Sequence, residues 1–309
     1  HLVQSCKDAM MIDGQLIEIH AEPIPKSILN IQKRALSPEE FLSFSSVQLF
    51  RIIYHHQGLR IAGFLAIPPA QPNTSTYPAL VFNRGGTGEK GALTTESASM
   101  YAVTYASWGY VVAASNYRGC GGSEGKEEWG GNDVLDAAAL LPLLKSLPYV
   151  DHDRIGLIGG SRGGMMALMM LRTMHDFRAA VTIGAPTTFD SIPKDSYIYK
   201  TFAQFQDGST ARSDEELKRS SEYFCQELCK TTPLLVLHGT GDKRVDPMHS
   251  YRLGMALQKA RHPYKLIMYE NADHILAGRR HESNLEIRSW VDAYVLKKQA
   301  LPKVGPHGA

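Results

Sequence analysis

The chain has 309 residues, a length a single α/β domain can reach and enough to bury a sizeable core. Its 33 Lys and Arg against 31 Asp and Glu leave a formal net charge of +2 with no basic run, which argues against a nucleic-acid partner. No apolar run approaches the roughly 18 residues of a membrane span, and the opening "HLVQSCKDAMMIDGQ" lacks the apolar core of a signal peptide.

Residues 1–49 read as a helical, partly loop-like lead-in. Within it, "SPEEFLSF" offers Ser37 as an N-cap, Pro38 at the first helical position and Glu in the first turn. "FRIIYHH" and "LRIAGFLAIPP" flank Gln57-Gly58 as a hairpin. "YPALVFNRGG" is a strand that runs into glycines, and residues 94–108 form a helix. "YVVAASNYRG" is the next strand and "GGNDVLDAAALLPLLKSL" the next helix. "RIGLIGG" then gives a strand, "SRGGMMALMMLRTMH" a helix and "AAVTIGAP" a strand. "PLLVLHGTGD" and "KLIMYENADH" are further strands around a helix at "MHSYRLGMALQKA", and "ESNLEIRSWVDAYVLKK" closes the chain as an amphipathic helix.

Short apolar strands alternating with helices indicate an α/β fold, a mostly parallel central sheet with helices on both faces. The hairpin supplies antiparallel edge strands. One domain is expected over residues 50–300, with a helical insertion at about 187–232. Ligands bind such sheets at the carboxyl ends of the strands, so chemistry is sought just after strands.

Gly159-Gly160-Ser161-Arg162-Gly163 matches G-x-S-x-G between a strand and a helix. A sharp strand-to-helix turn strains its apex, and flanking side chains would collide with the adjoining strand and helix. The glycines thus make room for an exposed Ser161 hydroxyl. The next N–H, of Arg162, opens the helix and points at any developing negative charge. The plain alternative is a glycine-rich turn with an N-capping Ser161. A dinucleotide-binding turn fails because G-x-G-x-x-G is not satisfied.

A serine alcohol needs a base, and the base an orienting acid. Asp242 falls just past one buried strand and His274 just past the next, which completes the order Ser, Asp, His of the α/β-hydrolase fold. Ser161 is then the nucleophile, His274 the general base and acid, and Asp242 the group that fixes the imidazole tautomer. Among rivals, His238 sits at a strand end as a structural group. His249, His262 and His281 lie on helices or at their ends, and His55-His56 lie in the hairpin. Asp246 reads as a helix cap, and Asp273 adjoins His274 too closely to face it. No His, Cys and Asp cluster has metal-ligand spacing, and no cofactor is expected. The cysteines Cys6, Cys120, Cys225 and Cys229 form no CxxC and read as reduced thiols.

The stretches "NRGGTG", "NYRGCGGSEG", "VDHDRIGLIGGSRGG", "TPLLVLHGTGDKRVDPMHSYRL" and "YENADH", in this order over about residues 50–295, resemble the catalytic domain of the prolyl oligopeptidase family of serine hydrolases. The resemblance implies the α/β-hydrolase fold and the same triad. Two departures stand out. The family often has a tyrosine opening the glycine turn, where its hydroxyl helps hold the oxyanion; Arg84 stands there instead. The second oxyanion donor is then a backbone N–H, that of Gly86 first, with Arg84 open as an oxyanion ligand, a carboxylate ligand or a structural ion pair. The 50 residues before the domain are also too few for the family's β-propeller, so something smaller is expected to control access. The aromatics Phe189, Tyr197, Tyr199, Phe202 and Phe205 of the insertion could line an acyl pocket or pack the insertion onto the sheet. Arg118 reads as a structural ion pair ahead of an anion ligand, and Cys120 as inert. Trp129 and the Met165–Met174 run read as core.

These readings converge on a serine hydrolase that cleaves acyl bonds of a small molecule or short peptide through an acyl-enzyme. The resemblance favours a peptidase of the prolyl oligopeptidase type. A carboxylesterase shares every catalytic residue and stays open, and a silent scaffold acting as a binding protein is the remaining alternative. The expected location is cytoplasmic, with no membrane or nucleic-acid partner and with oligomerisation left open.

Overall fold

The structure is a computed structural model and describes residues 12–72, 74–190, 192–205 and 212–305. Cys6 lies outside them. Nine strands, β1 (Leu16–Glu22), β2 (Gln48–His56), β3 (Leu59–Ile67), β4 (Tyr77–Asn83), β5 (Val111–Ser115), β6 (Val150–Gly160), β7 (Ala180–Ile183), β8 (Leu234–Gly239) and β9 (Tyr264–Tyr269), build one sheet. Its spatial order is β1-β2-β3-β5-β4-β6-β7-β8-β9. From β5 to β9 every neighbouring pair is parallel, while β1, β2, β3 and β5 pair antiparallel. This is the expected mostly parallel α/β-hydrolase sheet.

Alternation along each strand divides the core between the two faces. Ala79, Val81, Val111, Ala113, Leu234 and Val236 join one cluster; Leu80, Phe82, Val112, Ala114, Leu235 and Leu237 join the other. Helices cover both, because strands apolar on both sides must be buried on both sides. The hairpin between β2 and β3 turns at Gln57 (φ 49°) and Gly58 (φ 79°), the two positive angles of a type I′ turn.

The lead-in departs from its helical reading. The helices Lys26–Ala35 and Pro38–Ser45 are there, and Ser37 and Glu40 form the capping box that "SPEE" announces. β1 precedes them and adds an edge strand to the sheet, with half-buried and exposed side chains that gave no clean alternation to read. The helix expected over 130–147 is two, Asp133–Ala138 and Leu140–Ser146. Pro142 lacks the N–H that the Ala138 carbonyl would accept, so the first helix cannot run smoothly into the second.

Strand order also positions the site. The chain leaves β4 for β5 on one side, then crosses back to β6 on the other. Connections diverge there, so a crevice opens at the carboxyl ends of β4 and β6. Over that crevice sit described residues of the expected insertion. Its Phe202, on the helix Tyr197–Ala203, packs with Phe189 (5.3 Å between ring centroids) and with Trp129 (6.0 Å). Phe189 and Phe202 are therefore packing residues, which answers for them the choice left open between pocket and core. Phe202→Ala is expected to destabilise the fold by about 3–5 kcal/mol. Cleavage of the insertion in limited proteolysis should rise before global unfolding in urea; equal cleavage in both proteins would mean the ring does not anchor it.

Candidate active site

Ser161 stands between β6 and the helix Arg162–Thr173 with φ 52° and ψ −125°, a conformation side chains rarely adopt. Its N–H donates to the Ile183 carbonyl of β7 at 2.7 Å, and its carbonyl accepts from the Gly164 N–H at 2.9 Å. A Cβ on Gly159 would lie 2.2 Å from the Gly163 carbonyl oxygen, and one on Gly163 would lie 2.0 Å from that of Asn83. Both outer glycines of the motif are thus sterically required. Gly160 is not, since a Cβ there meets nothing within 4 Å.

Loops after β8 and β9 bring the other two groups to this edge. The Ser161 hydroxyl donates to His274 Nε2 at 2.9 Å, and His274 Nδ1–H donates to Asp242 Oδ2 at 2.7 Å. Three positions far apart in sequence thus form one hydrogen-bonded chain. Gly239 lets its two loops meet, because a Cβ there would lie 2.2 Å from the Ala272 carbonyl oxygen.

Asp242 is held on every side. Its Oδ1 accepts from the Arg244 and Val245 N–H groups at 2.8 and 3.1 Å. Its Oδ2 accepts from His274 and also from His238 Nε2–H, 3.0 Å away. Buried His238 bridges Asp242 and the Val245 carbonyl through Nε2 and accepts from the Ser250 hydroxyl at Nδ1. It is structural, as read, but it acts directly on the acid. Burial opposes ionisation of Asp242, yet the hydrogen bonds from His238 and His274 outweigh it and hold the carboxyl well below its usual range. A carboxyl so depressed adds stability above its unfolded pKa near 3.9 and loses it as pH falls toward the folded value.

The N–H groups of Arg162 and Gly86 donate to no acceptor among the described residues, and both residues line the cavity beside Ser161. The Arg84 side chain is turned elsewhere. Its Nε and one terminal nitrogen donate to the Asn116 carbonyl at 3.2 and 2.6 Å, and the other donates to those of Gly85 and Gly86 at 3.0 and 3.5 Å. With the Cys120 sulfur as a further acceptor, the fork is fully engaged. Of the readings left open, the structural pair is the one seen: Glu127 lies 4.0 Å from the guanidinium. Arg84 is a clamp on the loop backbone.

Arg162 is fully buried and pairs with Glu127 and Asp133, while a terminal nitrogen donates to the Gly86 carbonyl at 3.2 Å. Burial works against its charge, but the two carboxylates prevail and its pKa is raised. Glu127 also accepts from the Gly88 N–H at 2.9 Å. The Tyr117 ring lies against both guanidiniums, 4.6 Å from Arg84 and 5.2 Å from Arg162, and its hydroxyl donates to the Arg84 carbonyl at 3.0 Å. Sequence reading passed over Glu127, Asp133 and Tyr117. A signal existed: an arginine at the start of an apolar, buried helix needs counter-ions, and "KEEWGGND" holds carboxylates near a strand end.

The cavity measures about 280 Å³. It is lined by Trp129 and Ile198 of one core layer, by Phe82, Leu93 and Tyr101 on the other layer, and by Thr201. Tyr197 borders it, so part of the insertion faces the site while Phe189 and Phe202 stay behind. Trp129 is both core and wall. Among the described residues no Asp or Glu lines this cavity, whereas Lys90 and Arg244 do, and neither side chain makes an ion pair. Arg118 forms a two-pronged pair with buried Asp136 at 2.8 and 2.9 Å, its structural reading. Cys120, Cys225 and Cys229 are free thiols, and burial raises the Cys120 pKa. Among the described residues no helix is long and apolar enough to cross a membrane.

A model of the prolyl oligopeptidase family matches residues 96–298. Uncharacterized peptidase YtmA of Bacillus subtilis (strain 168) is 32% identical over 237 residues, covering 74% of this chain and 86% of that protein. Uncharacterized peptidase YuxL of the same organism is 29% identical over 258 residues, covering 77% of this chain and 38% of that protein. An acylaminoacyl peptidase of Pyrococcus horikoshii has a TM-score of 0.70 at 19% identity, over 89% of this chain and 45% of that one, a likeness of fold alone. The chain therefore spans most of YtmA but less than half of the other two.

Arg162→Met would leave Glu127 and Asp133 buried without their partner. It is expected to cost about 3–5 kcal/mol in guanidinium unfolding. A loss below about 1 kcal/mol would show that the network carries little of the fold.

Proposed function

The chain belongs to the prolyl oligopeptidase family of serine hydrolases, and on that premise we propose that it is a peptidase cleaving short substrates through a Ser161–His274–Asp242 triad. The observation that carries this reading is the unbroken hydrogen-bond chain from the Ser161 hydroxyl through His274 to Asp242. Ser161 Oγ attacks the substrate carbonyl carbon as its proton passes to His274 Nε2. The carbonyl π electrons move onto oxygen, where the N–H groups of Arg162 and Gly86 receive the charge. Collapse expels the leaving amine, which takes the proton from His274, and an acyl-enzyme remains. Water, deprotonated by the same imidazole, attacks the ester and restores Ser161. Asp242 keeps the Nδ1 proton in place and stabilises the imidazolium. Arg84 and Arg162 hold the Gly85-Gly86 backbone against the nucleophile, so the donors need no rearrangement when charge develops.

Wall chemistry supports a further choice. A free α-ammonium next to the scissile bond needs a carboxylate, and no acid among the described residues lines the cavity. Substrates with a blocked or acidic acyl side therefore fit better than those with a free N-terminus. The same observation favours a second reading, a carboxylesterase on small esters, which uses identical steps with an alcohol as leaving group.

Ser161→Ala is expected to abolish turnover of a p-nitrophenyl ester and labelling by a fluorophosphonate; activity within a few-fold of the parent would remove Ser161 as nucleophile. Asp242→Asn should lower kcat by about 10³–10⁴, as read with the same ester. It should also flatten the acid limb of the unfolding curve, by the sign argument above. N-acylaminoacyl arylamides cleaved faster than aminoacyl arylamides would support the blocked-substrate peptidase, and turnover of esters alone the esterase.

A further inference from the structure

A second cavity, of about 420 Å³, adjoins the first and shares Tyr197, Ile198 and Arg244 with it. Its character differs. Lys243, Arg244 and Arg252 all line it. Lys243 and Arg244 make no ion pair among the described residues. Two acids also line it, and both have other partners. Asp242 belongs to the triad, and Asp246 Oδ1 accepts from the Met248 N–H at 2.9 Å.

His249 adds a fixed donor. It is buried, and its Nδ1 accepts from the Thr187 N–H at 3.1 Å, which leaves the neutral ring's proton on Nε2. Burial holds its pKa down to about 4, so this tautomer persists at neutral pH. The annex thus brings the cations Lys243 and Arg244 and the neutral His249 ring to one region, the complement of a carboxylate.

Tyr197, Ile198 and Arg244 line both cavities, so a substrate held at Ser161 reaches the annex past these three residues.

We infer that the annex lined by Lys243, Arg244 and His249 is a subsite for a carboxylate on the acyl side of the substrate, so that this protein prefers N-acyl groups ending in an acid over neutral ones of the same size. The inference rests on the proposed triad acting at Ser161.

Three 2-naphthyl esters of alanine test it, carrying N-succinyl, N-(methyl succinyl) or N-acetyl groups. The succinyl ester should exceed its methyl ester in kcat/KM by roughly five- to tenfold at low salt, the yield of one or two partly exposed ion pairs. The ratio should shrink as sodium chloride is raised. In Lys243→Glu it should fall to one or below, with Lys243→Gln as the substitute should that variant fold poorly by circular dichroism. A ratio within twofold for the parent protein, or one that Lys243→Glu leaves unchanged, would overturn the annex alone. No turnover of any ester, with no fluorophosphonate labelling, would overturn the triad and the annex together.

Discussion

Gly163 lies so close to the Asn83 carbonyl that no side chain fits between them. The contact joins the end of β4 to the start of the helix after β6, and the site is arranged around it. Once these backbones touch, the Gly85-Gly86 loop must pass beside Ser161, and a Cβ on Gly85 would come within 3.0 Å of Ser161 Cβ. Arg162 is forced into the interior at the same point. An uncompensated guanidinium there would be untenable, and Glu127 and Asp133 supply the opposite charge.

The resulting network does more than neutralise charge. Arg84 and Arg162 both donate to the Gly86 carbonyl, and Tyr117 lies against both guanidiniums. Arg84, where the family resemblance implies a tyrosine, grips the Gly85 and Gly86 carbonyls from behind. In the proposed reaction the groups that receive transition-state charge are main-chain atoms, and the two buried arginines fix the Gly86 carbonyl from behind. His238 plays the matching part at the far end by occupying the remaining valence of Asp242 Oδ2.

The two faces of the sheet meet at the cavity. Trp129 belongs to the core on one side, and Phe82 and Leu93 to the core on the other. The cavity therefore lies between the two helical layers, at the strand ends. Ile198 of the insertion joins the Trp129 layer, and the loop carrying Lys243 and Arg244 lies beyond it. Apolar shape next to Ser161 and positive charge one step further out are thus separate properties of separate segments.

Much was legible in the chain itself. Short continuous apolar strands alternating with helices indicated the α/β class, because the strands of a parallel sheet are buried on both faces. G-x-S-x-G at a strand-to-helix junction named Ser161, and the positions just past two later strands named Asp242 and His274, because parallel strands deliver their ends to one edge. β1 escaped notice because an edge strand need not bury a regular face. Arg84 and Arg162 showed the limit more sharply. Sequence could place both beside the site, but whether an arginine turns toward substrate or toward backbone depends on where carboxylates and carbonyls from distant segments come to rest. Only the folded packing of 84–86, 116–133 and 162 decided that, because pairing of buried charge is a property of neighbours in space and not of order along the chain.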